Sequence, residues 1–174
     1  MLKVLCIVNG DLEENCYIVH NNKKALIIDP GSEGEKIVII ISELKLDVVG
    51  ILITHHHFDH VGALEYVKLK YKDAIYVDCN NRNNITDFKF KVIENFGHTM
   101  DSVSYYFESE KIMFTGDFVF KGTIGNYDYF NEDVMYESLK RFSKMDKDII
   151  IYPGHGDKSS VGYEIKNNPF LRGI

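Results

Sequence analysis

Four of the seven histidines in this 174-residue chain fall inside one short run, Thr54-His55-His56-His57-Phe58-Asp59-His60. Core or surface histidines have no reason to cluster this way. A metal centre does, because neutral imidazole and carboxylate are ligands of divalent cations such as zinc. The pattern His-x-His-x-Asp-His supplies His55, His57, Asp59 and His60, more than one tetrahedral site can use once other ligands join. That surplus points to two metals and to hydrolytic chemistry. His56 sits out of phase and reads as an exposed bystander. His20 reads as a loop residue.

Three more candidate ligands each follow an apolar segment and sit beside glycine: Gly97-His98-Thr99, Thr115-Gly116-Asp117 and Pro153-Gly154-His155-Gly156. Strand ends are where α/β folds gather their sites, because rigid elements hold the ligands there. The groups divide into two sets: His55, His57 and His98 for one metal, Asp59, His60 and His155 for the other. Asp117 bridges them, since a carboxylate has two oxygens. Metals bridged in this way act together on one substrate oxygen. Asp29 has two readings: a turn residue of Asp29-Pro30-Gly31, or a group that orients a ligand histidine through its other ring nitrogen. Thr54 and Thr99 can orient histidines with their hydroxyls.

The elements that must position these groups alternate in type. Strands are expected at Leu2–Val8, Asn15–His20, Lys24–Asp29, Val48–Ile53, Ala74–Val77, Phe88–Glu94 and Asp148–Tyr152. A hairpin is expected from Val103–Glu108 and Lys111–Thr115, turning at Ser109-Glu110. Helices are expected at Glu33–Leu46, Asp59–Tyr71 and Glu132–Met145, the last with Val134, Leu139, Phe142 and Met145 facing a core. Asn80–Asn84 reads as a polar loop, and Val161–Asn168 as a short helix stopped by Pro169. With no linker or repeat, this predicts one domain over residues 1–174. The fold class is α/β: two sheets inside and helices outside.

Composition agrees with a soluble enzyme. The chain is 45% apolar and 26% charged, so disorder is not expected. A net charge of −6 argues against a nucleic-acid partner, which needs a basic surface. Cys6, Cys16 and Cys79 are odd in number and widely spaced, which suits a reducing compartment. No segment reads as a signal peptide or membrane span. The expectation is a cytoplasmic monomer or homodimer.

Taken together, His55-x-His57-x-Asp59-His60, Gly97-His98-Thr99, Thr115-Gly116-Asp117 and Pro153-Gly154-His155-Gly156 resemble the metallo-β-lactamase superfamily. Ile28-Asp29-Pro30-Gly31, Phe114–Phe120, Gly122-Thr123-Ile124-Gly125 and Asn167-Asn168-Pro169-Phe170-Leu171 resemble its small glyoxalase II-like (hydroxyacylglutathione hydrolase-like) branch. The resemblance implies an αβ/βα four-layer sandwich with two mixed sheets and outer helices. It implies two divalent ions, with zinc first and iron or manganese as alternatives. It also implies a metal-bridging hydroxide oriented by Asp59, acting on a small-molecule thioester.

Lys121, Asn126 and Tyr127 are the substrate-contact candidates that follow from it, with Tyr129 and Phe130 close by. Asn126 stands where relatives often carry a basic residue, the segment Tyr76–Phe90 is short for the family, and the chain ends at Ile174. These departures bear on glutathione recognition, not on the ligand set. Other chemistries built on the same framework are a mononuclear iron persulfide dioxygenase, a lactamase or lactonase, a phosphodiester hydrolase, and a metal-binding protein without turnover.

Overall fold

The computed structural model describes residues 2–78, 83–127 and 131–174. Cys79, most of the expected Asn80–Asn84 loop, Tyr129 and Phe130 lie outside the described residues. The chain forms two compact units, Met1–Lys89 and Phe90–Ile174.

The first unit is a mixed sheet of five strands in sequential order: β1 (Lys3–Asn9), β2 (Glu14–His20), β3 (Lys24–Ile28), β4 (Asp47–Ile53) and β5 (Ile75–Asp78). β1, β2 and β3 pair antiparallel as hairpins. β4 and β5 add in parallel, after helical crossovers. The first crossover is α1 (Gly34–Glu43), which buries Ile37 and Ile41 against the sheet. Its isoleucine-rich run is therefore helical: length and a one-sided burial pattern outweigh β-branching.

The second crossover differs from the single helix expected over Asp59–Tyr71. It breaks into α2 (Phe58–Val61) and α3 (Leu64–Lys70). The cause is a long-range contact. The Ala63 amide leaves the helical ladder and donates to the carbonyls of Pro30 and Gly31, at 3.0 and 2.9 Å. A Cβ on Gly62 would stand 2.4 Å from the Gly31 carbonyl oxygen. Only glycine permits that approach.

The second unit carries another mixed five-stranded sheet. Its strands are β8 (Lys91–Glu94), β9 (Val103–Phe107), β10 (Ile112–Gly116), β13 (Ile150–Pro153) and β14 (Ser159–Ser160), in the order β14-β13-β10-β9-β8. β9 and β10 form the expected hairpin. β13 joins β10 in parallel after α4 (Glu132–Phe142). On α4 the buried side chains are Met135, Ser138, Leu139 and Phe142 and Val134 is only half-buried; the helix ends at Phe142, short of the expected Met145, which is half-buried beyond it. α5 (Val161–Asn167) is capped by Ser160, whose hydroxyl accepts from the Tyr163 amide, and it ends before Pro169 as expected. Met113, Phe118, Leu139, Phe142 and Ile151 anchor this core.

The expected strand Phe88–Glu94 is two strands. Phe88–Lys89 (β7) pairs with Asn84–Ile85 (β6), whereas β8 pairs with β9. Alternating burial runs unbroken through Phe90, so the change of partner leaves no trace in the pattern. A second ribbon, β11 (Val119–Phe120) with β12 (Thr123–Ile124), follows β10. Both sheets are mixed and flanked by helices, which places the chain in the α/β class. No helix among the described residues is long and apolar enough to cross a membrane.

Candidate metal centre

In the first unit the ligand segment starts where β4 ends. Asp29, at the end of β3, braces it from the neighbouring strand. Its Oδ1 accepts from the Thr54 amide at 2.7 Å, and its Oδ2 accepts from the Thr54 hydroxyl at 2.6 Å. The same Oδ2 lies 3.0 Å from His60 Nδ1. Asp29 holds a left-handed φ of 50°, which an aspartate tolerates better than most residues.

These bonds fix protons. The Thr54 hydroxyl donates to Asp29, so its oxygen accepts from His55 Nδ1–H at 3.1 Å. That leaves the lone pair of His55 on Nε2, which faces His57 Nδ1 at 3.1 Å. His60 donates Nδ1–H to Asp29 and keeps its lone pair on Nε2, 3.9 Å from Asp59 Oδ2. Ring centroids of His55 and His57 are 4.7 Å apart, and those of His55 and His60 are 4.2 Å apart. Imidazoles held this close, with their rings turned by such partners, are a donor set suited to a divalent cation. His55 and His60 are buried, and His57 is exposed. His56 turns outward, 3.4 Å from Asp78.

One residue of this network has no counterpart in the sequence reading. Glu14, at the start of β2, is buried with a carboxylate oxygen 4.0 Å from His60 Nδ1. Burial, reinforced by the Asp29 charge, pushes its pKa up to about 10. As a polar residue after a turn it gave no signal of this role; only tertiary packing buries it.

In the second unit three ligand candidates converge from three strand ends. His98 Nε2 and His155 Nε2 each lie 3.6 Å from Asp117 Oδ2. His98 Nδ1 is 2.6 Å from the Asn126 carbonyl. A carbonyl only accepts, so Nδ1 carries the proton and Nε2 presents its lone pair toward Asp117. The loop that carries Asp117 is closed by Thr115, whose hydroxyl donates to the Val119 carbonyl at 3.0 Å. The Gly154 amide donates to the Gly116 carbonyl at 2.9 Å, which ties the His155 loop to the Asp117 loop. Gly125 passes so close that a Cβ there would stand 1.7 Å from the Asp117 carbonyl oxygen and 3.1 Å from His98 Nδ1.

The remaining expected site residues are placed as follows. Thr99 shares its hydroxyl hydrogen bond with Ser102, at 2.6 Å, and so serves its own loop. Lys121 is exposed and paired with Asp157 at 2.8 Å. Asn126 and Tyr127 line a cavity of about 570 Å³ with Ile124, Glu132 and Phe170.

A fold of two mixed α/β sheets whose strand ends carry these histidines and aspartates defines a metal-binding protein of hydrolase type. The chain belongs to the metallo-β-lactamase superfamily, whose sequence profile matches residues 9–79 and 81–155. A probable metallo-hydrolase, YqgX of Bacillus subtilis, is 30% identical over 95% of this chain and 95% of its own length. The hydroxyacylglutathione hydrolase GloC of Haemophilus influenzae is 31% identical over 91% of this chain and 93% of its own. Among solved structures, the BLEG-1 B3 metallo-β-lactamase superposes with a TM-score of 0.91 at 27% identity, over 99% of this chain and 100% of that one. TTHA1623 in a di-iron-bound form gives 0.87 at 28% identity, over 97% and 100%.

Proposed function

We propose that this chain is a binuclear metal-dependent hydrolase of small-molecule thioesters. Its ligands in this reading are His55, His57 and His98 for one ion, Asp59, His60 and His155 for the other, and Asp117 for both. The observation that carries it is the orientation of the rings: the Nδ1 atoms of His55, His60 and His98 are each held by a partner, the Thr54 hydroxyl, the Asp29 carboxylate and the Asn126 carbonyl, as the histidine ligands of a metal are. Bound divalent ions would supply Lewis acidity toward the substrate carbonyl and activate water near neutral pH.

The chain's own groups do the rest. Asp59 accepts a hydrogen bond from the attacking water and fixes its direction. Asp29 and Thr54 keep His55 and His60 from rotating. Water adds to the thioester carbonyl carbon, the C–S bond breaks, and the sulfur leaves as thiolate and takes up a proton. The products are a carboxylate and a thiol. A thiolate is a good leaving group, so little general acid is needed. Asn126 and Tyr127 are the proposed contacts for the thiol portion, in the cavity they line.

The likeness to a hydroxyacylglutathione hydrolase supports a thioester substrate. The likeness to BLEG-1 favours a second reading, β-lactam hydrolysis. One panel separates them: S-lactoylglutathione, simple acyl thioesters, a β-lactam and a phosphodiester, each with metal-loaded protein. Thioester turnover well above the others is expected. A protein that cleaves the lactam and no thioester overturns the thioester reading.

A further inference from the structure

The first unit holds a second cavity, of about 440 Å³, that the ligand network does not fill. Its walls are the β1–β2 turn, the loop after β3, and the start of α2 and α3, and it reaches Asp59. Three large apolar side chains stand open in it: Phe58 is 75% exposed, Leu12 52% and Tyr66 45%. Rings and aliphatic groups left in water beside a catalytic ligand mark a surface that something else covers.

The polar lining has one sign. Asp11, Glu33 and Glu35 join Asp59, and none of the described lining residues is Lys, Arg or His. Glu33 is matched by Lys36 at 3.1 Å and accepts from the Gly10 amide, so it serves as wall. Asp11 and Glu35 set the charge of the mouth. Asn9, only 1% exposed, also lines the cavity and stands opposite Glu14 in the β1–β2 register.

We propose that this cavity receives the acyl part of the thioester and selects apolar acyl chains that end in a cationic ammonium group. The inference rests on the thioester reading above and names its substrate class. Phe58, Leu12 and Tyr66 cover the methylenes. The faces of Phe58 and Tyr66 attract a cation, most strongly one without a tight water shell. Asp11 and Glu35 add attraction for a positive end and repel an acyl chain that ends in carboxylate.

The test uses metal-loaded protein and thioesters of one neutral thiol, N-acetylcysteamine. The acyl groups are acetyl, hexanoyl, 6-(trimethylammonio)hexanoyl and 5-carboxypentanoyl. The quaternary nitrogen cannot attack its own thioester. We expect kcat/KM for the ammonium chain to exceed that for the carboxylate chain by about tenfold or more at low salt. The double variant Asp11→Asn, Glu35→Gln should shrink that ratio at least about threefold. Phe58→Ala should weaken both long chains that lack a carboxylate. A flat or inverted ratio, or one the double variant leaves intact, overturns the proposal.

Binding decides it independently of turnover. Hexyltrimethylammonium should bind more tightly than hexanol by calorimetry, and the double variant should remove the difference. Equal binding overturns the cavity assignment even if thioesters are cleaved. If no thioester is cleaved but the ammonium preference stands, the thioester reading falls and the cation site remains.

Discussion

The two units present their candidate metal ligands by different means. In the first, His55, His57, Asp59 and His60 come from a single segment, and side chains hold them: Asp29 reaches from the next strand to Thr54 and His60, and Thr54 passes the constraint to His55. In the second, His98, Asp117 and His155 come from three strand ends, and backbone holds them: the Asn126 carbonyl on His98, the Gly154–Gly116 bond, and the close passage of Gly125. A side-chain network can be dismantled one atom at a time. A backbone frame tolerates little, because moving one loop moves every ligand on it.

The difference orders the expected effects of mutation. Asp117→Ala removes the carboxylate to which both histidines of the second unit turn. We expect metal to be lost and kcat/KM to fall about a thousandfold or more. An unimpaired variant would refute the bridging role. Gly125→Ala tests the backbone frame. Its new Cβ collides with the Asp117 carbonyl, so about a hundredfold loss of activity is expected, with a lower unfolding midpoint. If the loop absorbs the methyl group without loss, the backbone frame does not fix the position of Asp117.

Asp29→Ala tests the side-chain network. It frees Thr54 and His60 together, and metal affinity should fall about 10–100-fold by competition with a chelator. A loss confined to folding stability, with affinity intact, would mean that Asp29 serves the fold and not the metal site. Glu14→Gln has a smaller effect, visible in the pH dependence of stability of the metal-free protein. Glu14 titrates near 10 in the fold, above the ordinary value of 4.5. Below 4.5 it is protonated whether folded or unfolded and costs nothing. Above that value the unfolded chain ionises while the fold does not, so stability falls as pH rises toward 10. The glutamine variant should flatten that fall by about 1–3 kcal/mol between pH 5 and pH 9 in urea titrations. An unchanged slope would show that Glu14 ionises freely in the fold. His56→Ala should change activity less than about twofold, since that ring turns away to Asp78. A large loss would make it a working part of the segment.

What the sequence could reveal follows the same division. Ligands in one run, or at strand ends beside glycine, carry their chemistry in local spacing, and the metallo-β-lactamase pattern was legible from them. The strands β1, β2 and β3 and the helix α1 were legible because turn residues and apolar spacing act over a few residues. The break at Gly62 was not, because it depends on carbonyls 31 and more residues away. The exchange of partners at Phe90 was not, because alternation continues across it. Glu14 was not, because nothing local distinguishes a buried carboxyl from a solvated one. Thr99, expected to brace a histidine, is instead tied to Ser102, three residues along its own loop.

In the proposed centre the seven side chains hold two ions. Elemental analysis of protein saturated with zinc, manganese or iron and then freed of excess metal tests it most directly. Close to two ions per chain are expected, falling in Asp117→Ala. A single ion per chain at saturation, unchanged in that variant, would contradict the binuclear account.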